Sequence, residues 1–393
     1  MNFTFPEKSV NSLPNMIREV GTRGASIPGF ISLAIGNPAA SAIPVETIRV
    51  AAQEVIDGDP MLIMQYGQAN GIQELKDKTI ERLKRVKKLP YEGQEILMMC
   101  GSGQGLGLVP RVICSEGDEV FTDEYAFTNA LNGIRNAGCV LKGIPMDEKG
   151  MIPEALEKAA ASGKGKYIYL IPNFHNPTGI TMPFSRRKEI YEIARKYNLM
   201  IYEDDPYGEL RFRGEEVPCI KSFDTDGRVI YAGSYSKILS AGLRIGYLYG
   251  DESVIKMLQT VKNGSDGQSL PMLTQLIVNK SLEKLDMDTY IPTICELYGR
   301  KCDVLLNTLK RSCAEDVKIY EPEGGMFVWV ALPERLPVDT FFEMCMSHGV
   351  GVVKSRAFAA DQEHPGNAVR LNFTYATEED IRKAAEIFGE MTK

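Results

Sequence analysis

No Cys-x-x-Cys pair occurs in the sequence, although it carries eight cysteines, at Cys100, Cys114, Cys139, Cys219, Cys295, Cys302, Cys313 and Cys345. Scattered in this way they read as small buried hydrophobes rather than as a metal site or a disulfide framework. Histidine is scarce. None of His175, His348 and His364 is spaced with another His or a Cys as a metal-site motif would require. No run approaches the roughly 18 apolar residues of a membrane span, and Met1 to Val10 lacks the basic start and apolar stretch of a secretion signal. No Gly-x-x-x-x-Gly-Lys-Ser/Thr occurs, and the one Gly-Lys-Gly-Lys run, Gly163 to Lys166, follows a helical pattern and precedes a strand, the reverse of a phosphate-loop order. A formal net charge of −7 argues against nucleic acid or an anionic membrane as partner. These absences leave a cytoplasmic, metal-free protein as the expectation.

What is present is alternation. Apolar runs at Ile96–Cys100, Val120–Thr122, Val140–Ile144, Tyr167–Ile171, Leu199–Tyr202, Val229–Ala232 and Ile245–Tyr249 read as buried strands. Helical patterns lie between several of them, at Gly105–Cys114, Phe127–Ala137, Pro153–Ala160 and Ser185–Tyr197. Near-continuous apolar strands separated by helices predict an α/β fold with a mostly parallel seven-stranded sheet covered on both faces. Before it come an arm broken by Pro14, Pro28, Pro38 and Pro44, with a short helix near Met16–Glu19 and a strand at Phe30–Ile35. A helix at Val45–Asp57, a loop from Met61 to Gly71 and an amphipathic helix from Ile72 to Val86 follow. Helices dominate from Ser253 to Leu309. A smaller α+β segment then has strand candidates at Lys318–Tyr320, Met326–Val330, Val350–Val353 and Val369–Phe373, and ends in the helix Glu378–Met391. The expected division is an arm over 1–45, a large domain over 46–285 and a small domain over 286–393.

Functional groups of such sheets gather at the carboxyl ends of the strands, and several unusual residues stand there. Ser234-Tyr235-Ser236-Lys237, with Arg244 seven residues on, puts one lysine among phosphate ligands between two apolar runs. Apolar surroundings push a lysine amine toward its neutral, nucleophilic form. The plain reading is a solvated turn; the chemical one is an imine-forming lysine beside the phosphate of an aldehyde cofactor. Gly101-Ser102-Gly103-Gln104-Gly105 opens a helix after a strand, either as an anion site or as close strand-to-helix packing. Asn173 to Gly179 is rich in turn formers, yet Asn176 stands where it could hydrogen-bond a ring hydroxyl. Glu203-Asp204-Asp205-Pro206-Tyr207 ends a buried strand in acids. They either cap a following helix or meet a positive group such as a pyridinium nitrogen. Phe127 is either core or a face for a planar ring. Arg370, within an apolar strand, needs a partner, either an internal acid or a bound carboxylate.

Taken together and in this order, Gly-Ser-Gly-Gln-Gly, Asn-Pro-Thr-Gly, Asp-Asp-Pro-Tyr, Ser-Tyr-Ser-Lys with Arg244, and the late Arg370 resemble a fold type I pyridoxal-phosphate aminotransferase of class I/II. The likeness is greatest to the kynurenine and 2-aminoadipate aminotransferase branch and runs from about Ile31 to the C-terminal helix. The resemblance implies pyridoxal 5′-phosphate as cofactor. It makes Lys237 the imine-forming lysine and proton carrier, and Asp204 the partner of the pyridine nitrogen. Asn176 and Tyr207 bind the ring hydroxyl, with Phe127 stacked on the ring. Ser102, the Gly103 backbone, Ser234, Ser236 and Arg244 take the phosphate. Arg370 and Gly36 meet the substrate, alongside Asn176. Tyr66 resembles the residue that reaches the phosphate of a neighbouring subunit, which implies a homodimer with shared sites. Two departures stand out: many relatives have tyrosine at the Phe127 position, and several have glutamine at the Gly103 position. The implied reaction moves an amino group from an amino acid, aromatic, 2-aminoadipate-like or other, to a 2-oxo acid such as 2-oxoglutarate. The alternative on the same fold is a cysteine-conjugate β-lyase. Arg18 and Arg23 are either contacts for an acidic substrate side chain or, the reading favoured here, solvated helix charges. The same domain occurs behind DNA-reading winged helices, but the short stretch before Phe30 is not strongly basic and offers no such reader.

Overall fold

The computed structural model describes residues 3–90, 92–265 and 270–393. Its centre is a seven-stranded sheet of β1 (Gln94–Met99), β2 (Glu119–Asp123), β3 (Val140–Ile144), β4 (Gly165–Leu170), β5 (Met200–Asp204), β6 (Val229–Ser234) and β7 (Gly246–Asp251). The spatial order is β1-β7-β6-β5-β4-β2-β3. The neighbours from β6 to β3 run parallel, while β7 is antiparallel to both β6 and β1. Every apolar run read as a strand became one of these seven, shifted by at most two residues at an end.

Successive side chains of a strand face opposite ways, and the core divides accordingly. Ile168, Leu170 and Ile201 pack with Phe121, Leu156, Ile190 and Ala194 on one face. Tyr167, Tyr169 and Tyr202 join Leu106, Val109 and Leu131 on the other. Helices that cover the sheet include Gly103–Ile113, Thr128–Asn136 and Phe184–Lys196.

A four-stranded antiparallel sheet is built from Lys318–Tyr320, Phe327–Ala331, Ala368–Asn372 and Val353–Lys354, in that spatial order. The long helix Met287–Ser312 packs on the helix Glu378–Glu390 beside it. Both starts are capped as their sequences require. Asp286 accepts from the Asp288 amide at 3.1 Å and Thr377 from the Asp380 amide at 3.1 Å, the latter with three acids in the first turn. Among the described residues no helix is long and apolar enough to cross a membrane.

Three local expectations need correction. The strand over Phe30–Ile35 is only Ile31–Ser32, because among the described residues its ladder is just the two-residue parallel one with Val350–Gly351. The loop from Met61 begins with a helix, Pro60–Met64, which Asp59 caps at the Met61 amide and Pro60 starts. The helix from Ile72 ends as a wider turn, Leu83–Lys87, and closes on Lys88 with a left-handed backbone at φ 54°.

Candidate active site

The carboxyl ends of β1, β2, β4, β5 and β6 lie along one edge of the central sheet. Because β7 runs the other way, its amino end, next to Arg244, lies on that edge too. A cavity of about 360 Å³ opens there. Its wall includes Gly36, Ser102, Gly103, Phe127, Asn176, Asp204, Tyr207, Ser234, Ser236, Lys237, Arg244 and Arg370. Residues distant in the chain thus converge only because the sheet aligns its strand ends. Of the residues assigned to the cofactor, Tyr66 is elsewhere: it does not line the cavity and is 93% exposed. A larger hollow of about 970 Å³, between Lys8–Leu13 and the edge strand β3, contains none of these residues.

Lys237 is partly buried and donates from Nζ to the Gly36 carbonyl at 2.8 Å. Burial, then the neighbouring Arg370 and Arg244, lower its amine from the usual lysine range to about 8. The Lys237 side chain is thus held in the cavity with a neutral form accessible near physiological pH.

Of the acids at the end of β5, only Glu203 caps a helix among the described residues, the short 3₁₀ turn Ile220–Phe223. Alternation sends them to different partners. Glu203 accepts the Ile220 and Lys221 amides at 2.7 and 2.8 Å. Asp205 accepts from Asn173 at 2.9 Å and Tyr231 at 2.8 Å, with the Lys87 ammonium 3.5 Å away. Asp204 receives a single hydrogen bond, from the Tyr169 hydroxyl to Oδ2 at 2.8 Å. Its Oδ1 is buried without a hydrogen-bond partner among the described residues. Burial raises its carboxyl to about 7, with the adjacent Asp205 adding to the rise.

Arg370 is 1% exposed and makes no ion pair among the described residues. It donates to Asn176 Oδ1 at 2.8 Å and to the Ala34 carbonyl at 2.7 Å, while Nε stays unpartnered. The rings of Phe327 and Phe358 lie 4.1 and 4.8 Å from its guanidinium carbon. Burial depresses even this group, to about 10.

At the other end of the cavity, no side chain caps the helix Gly103–Ile113, so Ser102 and Gly103 present its amino end. Gly103 has nothing within 4 Å of where a Cβ would stand, so the space above it is open. Gly101, at φ +73°, lies so close to Arg244 that a Cβ would run into the guanidinium. Arg244 itself has a left-handed backbone at φ 54°. Asn176 is followed by a cis peptide to Pro177, and its amide reaches the Tyr207 hydroxyl at 3.4 Å.

Pyridoxal phosphate fits these groups. An anion suits the open helix end with Ser234, Ser236 and Arg244, a protonated ring nitrogen suits the orphaned Asp204 oxygen, and an aldehyde suits Lys237. The sequence reading missed Tyr169, which looked like any strand aromatic, and it missed Asn15, Met16, Ile17 and Phe327 on the cavity wall. It also offered Arg23 for an acidic substrate. Arg23 is instead held by Glu343 through two hydrogen bonds of 3.0 and 2.6 Å, and neither it nor Arg18 lines the cavity.

Comparison with known proteins agrees with this geometry. The profile of the family "Aminotransferase class I and II" matches residues 28–388. An aromatic-amino-acid aminotransferase of Thermococcus litoralis is 36% identical over 99% of this chain and 94% of its own length. The crystal structure of Pyrococcus horikoshii kynurenine aminotransferase, in complex with PMP, superposes with a TM-score of 0.93 at 32% identity, covering 99% of this chain and 96% of that one. An alpha-aminoadipate aminotransferase from Thermus thermophilus, complexed with N-(5′-phosphopyridoxyl)-L-leucine, gives 0.89 at 28% identity over 99% and 97% of the two chains. The chain is therefore a pyridoxal-phosphate-dependent aminotransferase, a member of the class I and II family.

Proposed function

We propose that this aminotransferase takes its amino group preferentially from amino acids with aromatic or other uncharged side chains and passes it to a 2-oxo acid such as 2-oxoglutarate. The observation that carries the donor class is the cavity wall beside Gly36. Met16, Ile17 and Phe327 are apolar there, Asn15 and Asn37 are neutral, and the nearby Arg23 is already neutralised by Glu343. A carboxylate side chain would have to be desolvated against that wall, where none of these described residues offers it a cation.

The roles follow from the chemistry of each group. When bound, pyridoxal phosphate supplies an aldehyde carbon and an electron-withdrawing ring. Arg370, rigid between Phe327 and Phe358, offers a planar fork for the substrate α-carboxylate, and Asn176 is positioned by the same guanidinium. Fixing the carboxylate orients Cα–H toward Lys237, whose lowered amine can accept and return a proton near neutral pH. Asp204 keeps a proton on the ring nitrogen. Tyr207 and Asn176 would hold the ring hydroxyl, Phe127 would pack on the ring, and Ser102, Gly103, Ser234, Ser236 and Arg244 would bind the phosphate.

The same reading includes a homodimer in which Tyr66 serves the neighbouring site. Its support is a stretch of exposed apolar residues, Met61, Leu62 and Met64, next to an almost fully exposed Tyr66. A cytoplasmic setting accords with eight free cysteines. The proposed division at residue 285 accords with a seven-stranded sheet that lies wholly before it and a four-stranded sheet that lies wholly after it.

A panel of amino donors with 2-oxoglutarate, followed by cofactor absorbance, tests the reading. Phenylalanine, tyrosine and kynurenine should give higher kcat/KM than 2-aminoadipate or aspartate. A preference for the acidic donors, or release of ammonia without amino transfer, would overturn it.

A further inference from the structure

We propose that Tyr169 is a positioning residue for the cofactor, holding Asp204 ionised and turned so that Oδ1 faces the ring nitrogen. This inference rests on the assignment of Asp204 to that nitrogen.

The argument comes from the pleat. In the pairing of β4 with β5, Tyr169 stands opposite Tyr202; in the pairing of β5 with β6, Tyr231 stands opposite Glu203. Residues two apart on a strand share a face, so each tyrosine reaches diagonally to the acid two positions along. Tyr169 therefore meets Asp204, and Tyr231 meets Asp205, both at 2.8 Å. The two acids are otherwise treated differently. Asp205 has a second donor in Asn173 and a cation in Lys87. Asp204 has Tyr169 alone and no cation among the described residues, with one oxygen left open. The protein thus neutralises one carboxylate itself and leaves the adjacent one for a ligand cation.

The groups around Asp204 make its single donor matter. Asp205 beside it favours the protonated form. Tyr202 on the same strand and Tyr207 in the following turn are close neighbours, the Tyr202 hydroxyl having no hydrogen-bond partner among the described residues. Across the cavity stand Lys237 and Arg370. A hydroxyl donor stabilises the carboxylate and not the acid, so its loss moves protonation of Asp204 to higher pH. A protonated Asp204 offers no anion to a pyridinium. Tyr169 also fixes which oxygen is used, because it occupies Oδ2.

Purified holoenzyme stripped of cofactor and titrated with pyridoxal phosphate between pH 6 and pH 9 tests this. Tyr169→Phe should raise the cofactor Kd about ten- to a hundred-fold near pH 7, the range for a lost hydrogen bond to a charged group, and converge on the unaltered protein by pH 9. The ratio of the two Kd values removes the part due to Lys237, which titrates in the same window. Tyr231→Phe makes the same chemical change at the other acid and should leave the pH dependence of binding where it was. Replacing Tyr169 with 3-fluorotyrosine keeps the shape, strengthens the donor and should move the transition to lower pH, which keeps the idea testable if the phenylalanine protein folds poorly. A Tyr169→Phe ratio that is constant with pH, or equal to one, overturns the role of Tyr169. If Asp204→Asn binds cofactor as tightly as the unaltered protein, it is the assignment of Asp204 that fails.

Discussion

Arg370 donates to Asn176 Oδ1 at 2.8 Å, a hydrogen bond across 194 positions of sequence that ties a strand of the four-stranded sheet to the turn after β4. Through it the group offered to the substrate carboxylate and a group offered to the cofactor are fixed relative to each other. Neither residue can shift without disturbing the other.

Replacing Arg370 should therefore separate binding from stability. Arg370→Met is expected to lower kcat/KM for amino acids about 10²-fold or more, the scale of a lost charge-assisted pair. Its thermal unfolding temperature without cofactor should fall by less than the loss of two buried hydrogen bonds alone would give, because a buried charge with no acid partner is removed with them. Arg370→Lys should restore little, since a point charge does not reproduce the fork. Steady-state kinetics with calorimetry on the same preparations reads both effects.

Lys237→Ala should retain cofactor by its phosphate and ring contacts and lose turnover by about 10²–10⁴-fold or more, the usual contribution of a positioned acid–base group. Borohydride treatment should no longer fix the cofactor to the chain, as mass spectrometry of the intact protein would record. Ordinary activity in this variant would end the assignment.

Asp204 gives a pH-dependent stability with a definite sign. Its folded value of about 7 lies above the ordinary 3.8, so without cofactor the native state binds the extra proton between those values. Stability from this group is greatest at low pH and falls as pH rises toward 7. Asp204→Asn should thus stabilise the cofactor-free protein more at pH 8 than at pH 5. Urea unfolding at the two pH values measures it, and the opposite order would refute the buried, uncompensated state.

Gly101→Ala should damage the phosphate end of the cavity. It forces a side chain into a backbone at φ +73°, costing about 1–2 kcal/mol, and drives a Cβ into the Arg244 guanidinium. Cofactor affinity should fall while free pyridoxal, lacking the phosphate, binds as before. Equilibrium titration with the two ligands makes the comparison.

Arg23→Gln should leave the ratio of aromatic to acidic donors unchanged, because Glu343 already occupies the guanidinium. A specific loss of 2-aminoadipate activity in this variant would return Arg23 to the substrate.

Much of the architecture was legible because buried strands announce themselves. Val140–Ile144 and Pro153–Ala160 fall where the apolar pattern puts them, and so does each remaining strand of the central sheet to within two residues. The polar residues at the ends of those strands were legible for a related reason. Lys237, Asp204 and Asn176 interrupt apolar runs, and a buried interruption needs a partner. Tyr169 was not legible, since a tyrosine in a strand looks the same whether or not its hydroxyl has a task. Arg23 was misleading because its partner, Glu343, lies 320 positions away.

The sequence by itself determined the elements, the edge of the sheet where chemistry gathers, and the cofactor, because local periodicity and residue type carry that information. The resemblance already pointed to Asp204 among three acids, but only the tertiary structure supplied the physical reason that this one is left for a ligand. Glu203, Asp204 and Asp205 are adjacent in the chain and chemically alike, and the pleat alone hands two of them protein partners and leaves Asp204 with one oxygen open. It likewise gave Arg370 Asn176 and the Ala34 carbonyl but no acid among the described residues, and turned Lys237 toward Gly36, since pairing across the fold depends on strand register and packing that no single stretch contains.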